Sequence, residues 1–241
     1  MRAHLASSLA FALTLIAPPA TAFPMTRFTW GPANGLIVNQ DFAGPQTYTQ
    51  TLSVIGLSGT VSKFTMQVLH AYPGPGTAWH AISPPLFTLV SAPQPDCEGE
   101  PGFSIGSTVA GATTIPNAVP TATLGCSEGV TNHAVTCYMT IEVTINPPFV
   151  ADPAIRYGIV TLEYHHQNSV AGVSPDACDY ADLPMCFAQQ NSSAVVNGVT
   201  TTLSNEGGLL SWENDPMVVD CWRAITPARP SSWGSIKTLY R

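Results

Sequence analysis

Positive charge is scarce in this chain: Lys63 and Lys237 are its two lysines, and the formal net charge is −7. A surface so poor in cations has no basic patch with which to neutralise phosphates, which argues against nucleic acid as a partner. It has equally little to offer an anionic bilayer. Charged residues make up 10% of the sequence against 45% hydrophobic, so the chain lies far from disordered composition and its neutral surface must come from Thr, Ser, Asn, Gln and backbone. Beyond residue 17 no uninterrupted apolar run reaches the roughly 18 residues of a transmembrane helix. No CxxC pair is present, so the usual spacing of zinc thiolates is missing. Helical periodicity is nearly absent as well.

What the chain does have begins at its N-terminus. Arg2 supplies a positive n-region, residues 5–17 form a short apolar run, and Ala20-Thr21-Ala22 is a small-residue cleavage site. Residues 1–22 therefore read as a cleavable signal peptide, with the mature protein starting at Phe23. This predicts an exported protein, extracellular, periplasmic or held at the cell surface, in a compartment where thiols oxidise. The mature chain suits one all-β domain over residues 23–222, because charge and hydrophobicity stay even and no low-complexity boundary divides it. Residues 223–241 form a linker and C-terminal tail ending in Trp233-Gly234-Ser235-Ile236-Lys237-Thr238-Leu239-Tyr240-Arg241.

The six cysteines, Cys97, Cys126, Cys137, Cys178, Cys186 and Cys221, all fall in the mature part. An even number in an exported chain predicts disulfides, and six cysteines allow about 15 pairings. Cys178 and Cys186 bracket the short polar stretch Asp179-Tyr180-Ala181-Asp182-Leu183-Pro184 and are expected to pair. For the others the reading leans to Cys97 with Cys126 and Cys137 with Cys221, the alternative being Cys126 with Cys137.

Period-two alternation dominates. Cys137, Met139, Ile141, Val143 and Ile145 alternate with Tyr138, Thr140, Glu142 and Thr144, predicting a half-buried strand that Pro147 and Pro148 end. A second strand over residues 156–166 puts Val160, Leu162 and Tyr164 on one face; it is expected to pair with the first or lie near it. Residues 47–55 and 60–70 form a further pair around Gly56-Leu57-Ser58-Gly59, with Phe64, Met66 and Val68 on one face. Asn197-Gly198 between β-rich arms is the strongest hairpin signal, since it takes the positive φ angles of a type I′ turn. Short strands over residues 35–39, 86–90, 185–188 and 209–212 bring the total to nine or ten. Residues 71–85 and 92–120, rich in Pro, Gly, Ser and Thr, read as long loops with room for short irregular strands. The expected fold is an all-β, two-sheet antiparallel β-sandwich, jelly-roll or immunoglobulin-like and disulfide-bonded.

Chemical motifs are few. Gly102-Phe103-Ser104-Ile105-Gly106 satisfies GxSxG, but its flanks carry prolines and β-branched residues where a nucleophile elbow needs a strand before the serine and a helix after it. No catalytic residue is assigned on that basis. His165 and His166 point to opposite faces of a strand, which opposes joint ligation of one ion. His70 and His80 flank a Pro/Gly stretch. Asp176, Asp179 and Asp182 crowd one loop, and Glu213, Asp215 and Asp220 another; calcium is the one cofactor such oxygen-rich loops would suit, a solvated loop being the alternative. Trp79, Tyr180 and Trp212 lie in or near predicted loops and could stack on a sugar, as could Trp30, or else plug the core. Asn191-Ser192-Ser193 is a glycosylation sequon.

Residues 51–61 (TLSVIGLSGTV), followed by an alternating strand and His70-Ala71-Tyr72-Pro73-Gly74, resemble the opening of P-domain-like jelly rolls. A more specific resemblance runs through residues 157–166, 178–187, 210–216 and the tail WGSIKTLYR, which together look like a group of uncharacterised exported bacterial β-sandwich proteins with similar W-G-x-x-K-x-L-Y-R endings. That resemblance implies no catalytic residues. It implies instead that Trp233, Gly234, Lys237, Tyr240 and Arg241 belong to a sorting or surface-retention tail, the alternative being a terminal segment docked on the sandwich. The expected function is a non-catalytic surface or extracellular structural or adhesion component with a protein or glycan partner. A glycan- or calcium-dependent binding module is the alternative, and a secreted hydrolase comes third.

Overall fold

The computed structural model describes residues 23–41, 43–44, 46–71, 87–89, 94–97, 100–128, 135–165, 185–206 and 208–212. Strands follow one another as β1 (Met25–Trp30), β2 (Asn39–Gln40), β3 (Thr47–Ile55), β4 (Gly59–Ala71), β5 (Phe87–Leu89), β6 (Gln94–Cys97), β7 (Glu100–Gly106) and β8 (Thr113–Thr114). The second half of the chain adds β9 (Ala118–Glu128), β10 (Val135–Ala151), β11 (Tyr157–His165), β12 (Met185–Val196), β13 (Val199–Thr202), β14 (Ser204–Glu206) and β15 (Leu209–Trp212). They form two sheets. The first runs β14-β1-β3-β11-β7-β6 with β8 beside β11; the second runs β2-β15-β12-β4-β10-β9-β5 with β13 beside β12.

Alternation puts the core between the sheets. On β10, Met139, Ile141, Val143 and Ile145 are buried while Tyr138 and Thr144 are exposed; β4 contributes Val61, Phe64, Met66 and Val68, and the first sheet Phe28, Leu52, Val54, Ile159, Val160 and Leu162. Each such side chain contributes about 1.5 to 3 kcal/mol when fully removed from water. The β4–β10 ladder runs from Thr136 opposite Ala71 to Ala151 opposite Gly59 and forms the spine of the second sheet. At the hairpin between β12 and β13, Asn197 and Gly198 have φ of 51° and 78°, the angles a type I′ turn needs.

Two expectations change, and two that were left open are resolved. The sheets are mixed rather than purely antiparallel, because β1–β14, β11–β8 and β15–β2 pair in parallel. All three parallel pairings involve strands of two or three residues, where the chain returns to a sheet after a crossing rather than after a hairpin. Pro147 and Pro148 do not end β10: the register slips between Thr144 and Phe149, and this bulge absorbs residues that cannot donate to the ladder. Phe149 then packs edge-on against Tyr157, ring centroids 5.0 Å apart. β10 and β11 do not pair; residues 152–156 carry the chain from the second sheet to the first, so the two strands lie in different sheets. Finally, residues 92–120 hold β6, β7, β8 and the start of β9. Their pattern is weak because β6 is an edge strand and Pro95, Pro101, Gly102 and Gly106 interrupt the alternation.

The two ends of the sandwich differ. At one end sit the short connections, residues 56–58 between β3 and β4, 152–156 between β10 and β11, and Asn197-Gly198. At the other end the registers bring together Ala71, Glu128, Val135, Met185 and Trp212 of the second sheet, with His165 and Thr47 of the first. We call these the turn pole and the far pole.

Candidate functional site

Ser104 lies inside β7, opposite Glu163 of β11, and its hydroxyl donates to Glu163 Oε2 at 2.9 Å. Gly102 and Gly106 are strand positions too. The sharp strand-to-helix turn that lifts a nucleophile above a sheet is therefore not formed at this serine. Asn191 sits exposed at a register shift in β12, with φ of 45° and its amide donating to Gln67. The following Ser192 is buried and accepts from Gln189 Nε2 at 2.6 Å.

His70 is 1% exposed on the core side of β4. Register sets it between Phe187 of β12 and Cys137 of β10, and its ring meets Phe187 edge-on at 5.0 Å. Phe187 also touches Trp30 at 5.5 Å and Tyr164 at 5.9 Å, so one aromatic cluster joins both sheets near the far pole. Polar atoms thread it. Trp30 Nε1 donates to the Ser211 carbonyl at 2.8 Å and Tyr164 Oη to Gln50 Oε1 at 3.0 Å. Neither His70 nitrogen has a hydrogen-bond partner, and nor does Gln50 Nε2. Burial pushes the His70 pKa down to about 3 and that of Tyr164 upward. An imidazole this dry stays neutral, and no nucleophile is hydrogen-bonded to it, so the cluster acts as core rather than as acid–base machinery. Trp30, expected at a loop, is fully buried in it. Sequence reading missed Gln50 and Tyr164 as polar members; the signal was a polar residue on the inward phase of an otherwise apolar strand.

A second network holds β12 to the first sheet. Gln189 Nε2 donates to Thr26 Oγ1 at 2.7 Å, Thr26 Oγ1 donates to Asn205 Oδ1 at 2.9 Å, and Asn205 Nδ2 donates to the Gln189 carbonyl at 3.0 Å. Nearby, on the outer side of the first sheet, Arg27 grips Glu206 with Nε at 3.2 Å and Nη2 at 2.7 Å, while Arg156 Nη2 stands 3.6 Å from the same carboxylate and Nη1 donates to Ser53. The hydrogen bond from Arg27 holds the Glu206 carboxyl below its usual range. Burial, then repulsion by Arg27, lowers Arg156. This patch pairs β1 with β14 and lies nearer the turn pole.

The candidate ligand residues fall largely beyond these elements. Trp79, Tyr180, Asp176, Asp179 and Asp182 lie outside the described residues, as do His80, His166, Glu213, Asp215, Asp220, Cys178, Cys221 and the tail residues Trp233, Gly234, Lys237, Tyr240 and Arg241. Their points of attachment are nevertheless fixed. Trp212 stands opposite Met185, and Cys186 opposite Ala71, so β15, β12 and β4 end side by side at the far pole. Trp79 follows β4, the three aspartates and Tyr180 lie between β11 and β12, and the tail follows β15. β4, β11 and β15 thus end, and β12 begins, at a single end of the sandwich. Among the described residues no group of three His, Cys, Asp or Glu side chains forms a metal site, and no helix is long and apolar enough to cross a membrane. Cys186 is fully buried and holds no free thiol.

No family model matches the chain, and no curated protein matches it either. Among solved structures, a type I cohesin–dockerin complex from Clostridium thermocellum is 7% identical, with 82% of this chain and 97% of that chain covered at a TM-score of 0.36. The third ScaB cohesin of R. flavefaciens, in complex with a group 1 dockerin, is 10% identical, with 82% of this chain and all of that chain covered at a TM-score of 0.33.

Proposed function

We propose that this chain is an exported, non-catalytic β-sandwich that works as a structural or adhesion component outside the cytoplasm, engaging a protein or glycan partner with its far pole. One observation supports this above the rest: β4, β11 and β15 end and β12 begins at one pole, and the aromatic and acidic candidates follow or precede these strands in the chain, while short turns close the other pole. A two-sheet frame whose longer connections join it at one end is suited to presenting a binding surface. Residues 1–22 act as the export signal in this reading, Cys178 closes on Cys186, and residues 233–241 retain the protein at the surface. β1 begins at the turn pole, with Met25 opposite Ile55, whereas β15 ends at the far pole.

Fractionation of producing cells tests the address: the full chain is expected in the surface or extracellular fraction, and deletion of residues 233–241 is expected to shift it from surface to medium while leaving its unfolding midpoint unchanged. Confinement to the cytosol would sink the proposal. The second reading, a glycan- or calcium-dependent module, rests on the chain positions of Trp79, Tyr180, Trp212, Asp176, Asp179 and Asp182, each in or next to a segment joined to a strand end at the far pole. Glycan-array binding by residues 23–241 that is lost with a calcium chelator and in Tyr180→Ala would favour it.

A further inference from the structure

One row of residues crosses the inner face of the second sheet near the far pole. Register places Leu210 opposite Phe187, Phe187 opposite His70, His70 opposite Cys137, and Cys137 opposite Cys126. We infer that Cys126 and Cys137 form a cross-strand disulfide that staples β9 to β10 at this pole, beside the dry imidazole of His70.

Distance comes first. Directly opposed residues of an antiparallel ladder have Cα atoms about 4.5 or 5.5 Å apart according to the type of pair, and both values fall inside the roughly 4.4 to 6.8 Å that disulfides span. The competing partner for Cys126 is Cys97. It belongs to β6, on the edge of the other sheet, where the residue opposite it is Glu100, so no ladder sets it against Cys126. Because a cysteine has one partner, a bond between Cys126 and Cys137 also removes Cys137 from Cys221.

His70 supplies a second observation. A Cys137 thiol next in the row to a buried neutral imidazole would offer its S–H to the ring's unprotonated nitrogen. Both His70 nitrogens are without a partner, which is the state expected beside a sulfur that has no hydrogen to donate. The bond forms by exchange with a disulfide oxidant of the extracytoplasmic compartment: one S–S bond forms here, one breaks in the oxidant, and the two thiol protons end on the oxidant's sulfurs as it takes two electrons.

Non-reducing peptide mapping of the exported wild-type protein, digested at acid pH after thiols are blocked, decides the matter without any variant. A Cys126–Cys137 linked peptide pair is the expected result. A Cys97–Cys126 or Cys137–Cys221 pair, or alkylated Cys126 and Cys137, would overturn the inference. As a second measurement, Cys126→Ser is expected to expose one alkylatable thiol, at Cys137; labelling at Cys97 instead would count against the staple.

Discussion

His70 is held neutral by burial down to a pH of about 3, whereas in the unfolded chain an ordinary histidine takes up a proton below about 6.5. Across that window the unfolded state binds the extra proton, so stability falls as the pH drops, by about 1.4 kcal/mol per pH unit for this group. Above 6.5 the two states bind alike and the contribution is flat. His70→Phe keeps a ring against Phe187 and removes the titration. Urea midpoints of the variant are expected to fall less steeply than wild type between pH 6.5 and 4; parallel slopes would show that His70 does not stay neutral in the fold. Gly158 makes the opposite case, of space rather than charge. A Cβ there would stand 2.3 Å from the Val109 Cβ, inside the buried contact between β11 and the residues after β7. Gly158→Ala should cost about 1 to 3 kcal/mol, the range for overpacking, and Val109→Gly in the same chain, which removes the clashing Cβ, should recover part of it in a thermal melt. No sequence pattern announced either effect, because both depend on residues brought together from distant parts of the chain.

At the level of elements, the hairpins and ladders obey local rules while their closures depend on distant partners. Gly59 begins β4 at φ of 114°, and a Cβ there would meet the Asn197 side chain at 2.6 Å. That side chain accepts the Thr60 amide through Oδ1 at 2.9 Å, tying the β12–β13 turn to the start of β4. Gly59→Ala is expected to lower the unfolding free energy by at least about 1 kcal/mol, read as a shift in denaturant midpoint at unchanged slope. The parallel pairing of β1 with β14 is bound at its edge by Arg27 and Glu206. Glu206 keeps a lowered folded pKa, so its contribution is present above the ordinary carboxylate pKa of about 4.3 and is lost as the pH falls through the folded value. The carboxylate is partly exposed, so Glu206→Gln is expected to cost well under 1 kcal/mol at pH 7, the difference from wild type vanishing in acid; hydrogen exchange of β14 amides would report the loosening first.

For the whole molecule, one expectation comes from having both sheets joined through the aromatic cluster at the far pole. Trp30→Ala removes the ring that touches Tyr164 and Phe187 and leaves the Ser211 carbonyl without its indole donor; it should cost about 3 to 5 kcal/mol, the range for large aromatic truncations, and calorimetry should show one lowered transition rather than two. The strands over residues 47–55, 60–70 and 137–145 were legible in the chain because alternation is a local consequence of a half-buried strand, and Asn197-Gly198 because positive φ is a property of the residues themselves. Ser104 was legible as a motif lacking its context, since prolines and β-branched neighbours speak about the next few residues. By itself, then, the sequence determined an all-β chain with its polar and apolar faces assigned and a surface poor in the cations that phosphates need. Only the tertiary structure decided that β10 continues past Pro147 on a bulge, that β10 and β11 part to opposite sheets, that His70 stands opposite the Cys137 position, and that β4, β11 and β15 end at the pole where β12 begins. Those outcomes depend on register and on which sheet each strand joins, and such pairings are set by contacts between residues a hundred or so positions apart, which no local period can encode.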